Sequence, residues 1–220
     1  MWRHLKVNLT DLVFSASEAM DLSDPSLVDH QMRTAYVCNE LARAAKIHHE
    51  INERLFLAAL MHDIGALSPE DKIGIHNYED VLPEPHCQRG AKLFADVSWL
   101  EAAADIVAWH HTPMAAHIKA GRSISDPMVL SAQILLLADL LERAINRKQF
   151  ILHQSDRLKN RIRNLSGYCL HPDVIELFDS VSSRESFWLE LVAQDLSLRI
   201  KERNPLRSIE LDYEGVRSIA

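Results

Sequence analysis

The sequence predicts an all-α protein. Apolar residues recur at helical spacing along almost the whole chain, and only six glycines and eight prolines interrupt its 220 residues. The two-residue alternation typical of a strand occurs only near the end, at residues 209–213. We therefore expect helices over these ranges: 8–20, 26–46, 49–65, 85–96, 98–111, 126–148, 150–165, 172–182 and 184–201.

The breaks between these helices define the organisation of the chain. Residues 72–84 and 112–126 are expected to be irregular loops, because their composition lacks a helical pattern. Asn204 precedes a proline and should end the last helix. We expect one domain over residues 1–203 and a linker or tail over 204–220. That segment either frays or leads into a further domain.

Composition excludes several classes of protein. With 47% apolar and 25% charged residues, the chain is typical of a folded globular protein. Its net charge of −7 argues against a general nucleic-acid binder. The longest apolar run, residues 55–61, is much shorter than the roughly 20 residues of a membrane helix. The N-terminus lacks a signal-peptide core and the three cysteines are widely spaced, so we expect reduced thiols in a cytoplasmic protein.

Histidine and aspartate occur where the helical pattern predicts core positions. His62 follows Leu55 and Ala58 at helical spacing, with Asp63 beside it. Asp139 lies inside the apolar run 135–141, so its carboxylate is expected to be buried. Other inward histidines are predicted at three places: His30 at the start of an apolar stripe, His86 near Gly90, and His110 with His111 at a helix end. His86 lies one turn before Gly90, and the missing side chain of this glycine should leave open space above the imidazole.

Each of these residues alone has an ordinary explanation. A single inward histidine is usually a hydrogen-bonded core residue, and a single buried aspartate often pairs with arginine. Taken together, these residues have no such ordinary explanation, because five imidazoles and two carboxylates would all need partners in a core that leucine could fill. A divalent metal would satisfy all of them. Imidazole and carboxylate without thiolate suit Mn, Fe, Zn, Ni or Co rather than a cysteine-type structural zinc.

The order of these residues resembles the HD superfamily of metal-dependent phosphohydrolases, which is named after the adjacent His-Asp pair. The residues that carry this resemblance are His30, His62, Asp63 and Asp139 for the superfamily, and His86, His110 and His111 for the HD-GYP subgroup, which has a two-metal site. Segments 57–65 and 134–139 are very close to the family's segments around these ligands. The resemblance covers about residues 26–145 and implies an HD-type helical bundle with a metal site in its core.

The resemblance also implies a division of the ligands. The first metal would be held by His30, His62, Asp63 and Asp139. Asp63 would bridge to a second metal held by His86, His110 and His111. Asp63 and His62 are the expected catalytic residues. The implied cofactors are two divalent ions, Fe or Mn first, with Zn, Ni, Co or Mg as alternatives.

Two departures from the family concern substrate binding. The family usually follows His-Asp-Ile-Gly with a lysine thought to touch the substrate phosphate, and here that residue is Ala66. The Gly-Tyr-Pro loop after the paired histidines is replaced by residues 112–118. We therefore expect a complete metal site with altered substrate recognition. Lys92 and Arg143 are candidates for binding the phosphate, with a solvated surface charge as the alternative for each.

The implied reaction is hydrolysis of a phosphoester of a nucleotide or of a cyclic dinucleotide such as cyclic di-GMP, by a metal-bridging hydroxide. Paired divalent ions lower the pKa of bound water towards about 7 and clamp an in-line displacement. The expected partner is a phosphorylated small molecule or cyclic dinucleotide. We expect no binding to membranes or nucleic acid. A homodimer is an open alternative. The alternative is a catalytically weak or inactive HD-type sensory or signalling module that binds metal, with or without a nucleotide ligand.

Overall fold

The structure, a computed structural model, describes residues 7–22, 27–68, 74 and 85–211. Within these ranges helices dominate, which confirms the predicted all-α class. The helices are α1 (Leu9–Asp21), α2 (His30–Ala44), α3 (His49–Met61), α4 (Pro85–Ala95), α5 (Ala104–Trp109), α6 (Met114–Lys119), α7 (Pro127–Arg143), α8 (Ile151–Arg163), α9 (Pro172–Ser182), α10 (Glu185–Leu191) and α11 (Leu196–Glu202). The strands are β1 (Val7–Asn8) and β2 (Glu210–Leu211).

Several predicted boundaries differ from the structure. The helix expected at 98–111 is a 3₁₀ turn, Glu101–Ala103, followed by α5, and the loop expected at 112–126 contains α6. The helix expected at 184–201 is divided into α10 and α11. Apolar spacing does not reveal this break, because core residues lie on both sides of it. The loop expected at 72–84 lies outside the described residues, except for residue 74.

Helix α7 is the central helix of the described core. Every residue from Ser131 to Glu142 is buried, and the helix packs against α2, α3, α5, α8 and α9. The helix begins sharply because the Asp126 side chain accepts a hydrogen bond from the backbone N–H of Met128, and Pro127 occupies the first turn. A helix buried on every side places any polar residue it carries inside the protein. Among the described helices, none has the length and hydropathy needed to cross a bilayer.

The turn after α3 packs directly against the backbone of α4. Helix α3 ends at Met61, four residues earlier than expected. A Cβ atom on Gly65 would lie 2.1 Å from the His86 carbonyl oxygen and 2.5 Å from the Gly90 nitrogen. A Cβ atom on Gly90 would lie 3.0 Å from Val107 Cγ1, so the open space expected above His86 is instead filled by α5. The two glycines let three segments of the chain meet.

The described part of the predicted tail returns to the bundle. β2 pairs antiparallel with β1, with Val7 opposite Leu211, which gives a short strand within the alternating segment. Arg207 binds Glu53 of α3 through its backbone nitrogen at 3.1 Å and its Nε at 2.8 Å. Residues 204–211 therefore pack against the domain. Residues 212–220 lie outside the described ranges, and the assignment of 204–220 as a linker stays a prediction.

The contact at Gly65 leads to a stability prediction. Gly65→Ala should lower the free energy of unfolding by about 3 kcal/mol, because the added methyl group meets backbone atoms that can move only with α4. Urea unfolding followed by circular dichroism measures the change. Gly121→Ala is the matched control, since its Cβ would meet nothing within 4 Å and only its φ of +73° costs energy, about 1 kcal/mol. Equal stability of the two variants would contradict close packing at Gly65.

Candidate metal centre

The structure brings all seven predicted metal ligands together in the core. They come from separate parts of the fold, and every one is buried. His30 is the first residue of α2, His62 and Asp63 follow α3, His86 lies in the first turn of α4, His110 and His111 follow α5, and Asp139 lies in α7.

A first cluster has two imidazoles facing two carboxylates. His30 Nε2 lies 3.5 Å from Asp63 Oδ2 and 3.5 Å from Asp139 Oδ1. His62 Nε2 lies 3.4 Å and 3.8 Å from the same two oxygens. Ligand bonds of about 2.0–2.2 Å at tetrahedral angles hold nitrogen and oxygen ligands roughly 3.4 Å apart. These four distances are close to that value, and His30, His62 and Asp63 form one group of mutually close ligand atoms. Asp139 faces both histidines but does not belong to that group.

A second cluster lies on the other side of Asp63. The Nε2 atoms of His86 and His110 are 3.2 Å apart, and Asp63 Oδ1 lies 3.4 Å from the first and 3.9 Å from the second. The His111 ring centroid lies 4.4 Å from that of His110 and 5.1 Å from that of His86. Since Asp63 turns Oδ2 to one cluster and Oδ1 to the other, its carboxylate lies where a bridging ligand would.

Contacts behind the rings fix the orientation of three imidazoles. The Nδ1 atom of His62 lies 3.1 Å from the Ala59 carbonyl oxygen, and that of His110 lies 2.6 Å from the Val107 carbonyl oxygen. His30 Nδ1 lies 2.6 Å from a carboxylate oxygen described below. When these rings are neutral and Nδ1 donates to oxygen, the lone pair of Nε2 is directed into the cluster.

The two aspartates stay ionised in spite of their burial. Burial raises the pKa of each carboxyl, but neighbouring cationic groups outweigh it. His62 and His30 bring the Asp63 pKa well below its ordinary value. The Asp139 pKa is also well below its ordinary value, chiefly because of Arg143, whose Nη1 lies 3.0 Å from Asp139 Oδ2. The centre therefore offers two carboxylates in their ligating form.

The histidines of the two clusters differ in charge. Burial lowers the pKa of His30, but the carboxylates around it, Glu142 foremost, raise that pKa well above the ordinary value. Burial also lowers the pKa of His110, where the neighbouring imidazoles lower it further. Burial lowers the pKa of His111 to about 4 in spite of the nearby carboxylates. These two rings of the second cluster are thus neutral imidazoles, the form that binds metal.

Sequence reasoning missed Glu142, which supports the first cluster. Its Oε2 is the acceptor 2.6 Å from His30 Nδ1. Its Oε1 accepts from Arg33 at 3.4 Å and from Arg147 at 2.7 Å. Although burial raises the Glu142 pKa, His30 first and then the two arginines bring it to about 2. Glu142 could have been predicted from its position three residues after Asp139, because residues at this spacing lie on the same face of a helix.

Sequence reasoning also missed Cys87. Its buried Sγ lies 3.7 Å from His86 Nε2 and 4.0 Å from His110 Nε2. One group of possible ligands therefore consists of His86, Cys87, His110 and His111. One ring nitrogen of each histidine and the cysteine sulphur all lie within 4.8 Å of one another. The expected ligand set, which contains no cysteine, did not include this thiol. Adjacent residues of a helix seldom face the same point, so the spacing did not indicate it.

The two predicted phosphate-binding cations lie in different surroundings. Arg143 contacts Asp139 as described, and its side chain is only 8% exposed. Lys92 lies on the exposed side of α4, whereas His86, Cys87 and Gly90 form the buried side. The structure brings Arg143 to the centre and does not bring Lys92 there. A substrate role for either residue stays a prediction.

The contact between Glu142 and His30 predicts a change in metal affinity. Glu142→Gln keeps the shape of the side chain but removes the charge that orients His30, so Mn²⁺ should bind about 10- to 100-fold more weakly. Equilibrium dialysis against Mn²⁺ measures this affinity. Glu40→Gln is the matched control, because Glu40 is also buried and pairs with two arginines, Arg43 and Arg184. An equal loss in both variants would contradict a specific role for Glu142.

Comparisons with known proteins agree with this geometry. Residues 27–159 match the HD domain family. The 3′3′-cGAMP-specific phosphodiesterase 1 of Vibrio cholerae is 25% identical over 192 residues, which cover 84% of this chain and 44% of that protein. The chain thus spans less than half the length of this curated relative.

A solved structure shares the fold. The crystal structure of a cyclic GMP-AMP specific phosphodiesterase from V. cholerae superposes with a TM-score of 0.70 at 18% identity, over 98% of this chain and 58% of that one. This likeness confirms the expected HD-type helical bundle. The family match covers more than half of the chain, and the His62-Asp63 pair lies at the centre of the buried clusters. The chain therefore belongs to the HD domain family.

Proposed function

We propose that this chain is a metal-dependent phosphohydrolase that hydrolyses a phosphoester bond of a cyclic dinucleotide. The observation that carries the proposal is the Asp63 carboxylate, which turns one oxygen to each of two buried ligand clusters. A core that only needed packing would gain nothing from so many convergent polar groups. Two divalent ions would give each of these groups a partner.

The donor set divides between two ions. His30, His62 and Asp139 would hold the first ion together with Asp63 Oδ2. His86, His110 and His111 would hold the second with Asp63 Oδ1. Nitrogen and oxygen ligands suit Fe or Mn, with Zn, Ni, Co or Mg as alternatives. When bound, such ions activate water at neutral pH and neutralise charge on a transferring phosphoryl group.

The protein's own residues would position this chemistry and shield it from bulk water. We assign the catalytic roles to Asp63 and His62, which lie in the tight turn after α3. Arg143 holds Asp139 in place, and its guanidinium is also the buried cation that could meet a phosphate oxygen. The apolar walls around the clusters strengthen every electrostatic contact made there.

Chemistry and the relative's name support the proposed substrate class. A centre holding two divalent ions suits an anionic phosphodiester. The curated V. cholerae relative is named for 3′3′-cGAMP, which is a cyclic dinucleotide. We therefore propose a cyclic dinucleotide, such as 3′3′-cGAMP or cyclic di-GMP, as the partner of this site.

A product-release assay tests this proposal. The metal-reconstituted protein should hydrolyse 3′3′-cGAMP or cyclic di-GMP, with chromatography of the products as the measurement. Asp63→Asn, which keeps the shape of the shared carboxylate but removes its charge, should reduce kcat/KM at least about 100-fold, equivalent to roughly 2.7 kcal/mol. Asp105→Asn, at an exposed position of α5, is the control and should retain full activity. Full activity of Asp63→Asn would refute the proposed mechanism.

A second function is favoured by one observation at position 66. Ala66 stands where the family usually has a lysine, and it is 3% exposed, so this position offers no cation to a substrate. The chain would then be a signalling module that binds metal and a cyclic dinucleotide without turnover. Calorimetry showing tight binding of a cyclic dinucleotide to metal-loaded protein, with no product formed, would select this function over hydrolysis.

Metal removal should destabilise the protein. Ions at about 100 times their dissociation constant add roughly 2.7 kcal/mol to the free energy of unfolding. A chelator should therefore lower the melting temperature in differential scanning fluorimetry, and added metal should restore it. The Asp63→Asn variant should respond much less to chelator. An unchanged melting temperature in the original protein would show that the clustered histidines are ordinary core residues.

A further inference from the structure

We infer that the Cys87 thiolate is a ligand of the second metal ion, which makes that position sulphur-containing and chemically unlike the first. The inference rests on the proposed function, because it concerns one of the two ions proposed there. It adds a fifth residue of this chain to Asp63, His86, His110 and His111.

The distances around Cys87 match those between ligands of a single ion. Zinc lies about 2.3 Å from sulphur and about 2.0–2.1 Å from nitrogen, so tetrahedral sulphur and nitrogen ligands lie roughly 3.6 Å apart. Cys87 Sγ lies 3.7 Å from His86 Nε2 and 4.0 Å from His110 Nε2. These two nitrogens are 3.2 Å apart, against roughly 3.4 Å for two nitrogen ligands. One ion could therefore contact all three atoms after small side-chain adjustments.

An independent observation at His111 also indicates an ion here. His111 is buried, and its Nε2 has no hydrogen-bond partner among the described residues. A buried imidazole nitrogen left without a partner is costly, and a metal ion would satisfy it. His111 belongs to the same group of mutually close ligand atoms as Cys87. The two side chains thus converge on one place.

The neighbours of Cys87 distinguish it from the other cysteines. Cys87 follows His86 in α4, and both residues lie on the buried side of that helix. The other two cysteines, Cys38 and Cys169, are also buried, but neither belongs to a ligand group within the described part of the chain. Burial alone therefore does not distinguish Cys87, whereas its neighbours do.

A thiolate changes which ions this position selects. Thiolate is a soft ligand that favours Zn²⁺, Fe²⁺ or Co²⁺ over Mg²⁺ and Mn²⁺. The first position, formed by His30, His62, Asp63 and Asp139, offers only nitrogen and oxygen. The added negative charge also lowers the net charge of the loaded centre. We expect the two positions to differ in metal preference, with the softer ion beside Cys87.

Cobalt spectroscopy of the full chain tests the inference. Protein loaded with Co²⁺ should show a near-ultraviolet thiolate-to-cobalt charge-transfer band beside the visible cobalt bands, with bound cobalt counted by elemental analysis. The charge-transfer band should disappear in Cys87→Ser and persist in the matched control Cys169→Ser. Circular dichroism of each variant checks that it is folded.

X-ray absorption at the cobalt edge of the unmutated protein provides a measurement that needs no variant. It should show one sulphur neighbour at about 2.3 Å for part of the cobalt. Two bound cobalt ions with no sulphur neighbour and no charge-transfer band would overturn the role of Cys87 and leave the proposed function standing. A band that persists in Cys87→Ser would also overturn it. Failure of the unmutated protein to bind cobalt would overturn this inference and the two-metal proposal together.

Discussion

The Asp63 carboxylate lies between two sets of imidazoles inside an apolar core, and the arrangement of the surrounding helices keeps it there. An ionised carboxylate buried without partners would be strongly unfavourable. Here its two oxygens face different histidines, with His62 on one side and His86 on the other. His62 follows α3, whereas His86 lies in the first turn of α4. The end of α3 must therefore lie against the start of α4, and the glycine contacts between them make this approach possible.

The central helix α7 also carries buried charged groups that need partners. Asp139, Glu142 and Arg143 lie within one turn of α7, where water has little access. Each finds its partner in the centre, since Glu142 contacts His30 and Arg143 contacts Asp139. One turn thus supplies a candidate ligand and the groups that orient two ligands. Such a network holds its geometry because the loss of any member leaves a buried charge without a partner.

Sequence patterns reach some of these features and not others. His62 and Asp139 can be predicted because helical spacing places them among apolar residues, where a polar side chain needs a special reason. Cys87 cannot be predicted in this way, because adjacent helical residues point about 100° apart and only the packing of α4 brings the thiol near His110. The pairing of Val7 with Leu211 depends on the whole bundle closing between them. Local spacing carries no information about such contacts.

The β1–β2 pair also determines how the domain would respond to mechanical force. The strands are antiparallel with Val7 opposite Leu211, so the chain continues from both of these residues at the same end of the pair. Tension applied through both ends of the chain would break the hydrogen bonds between the strands one after another. Strands pulled apart in this way resist little force. The contact between Arg207 and Glu53 would be loaded next. Since Glu53 belongs to α3, the helix that precedes His62 and Asp63, tension would reach the buried clusters through this contact.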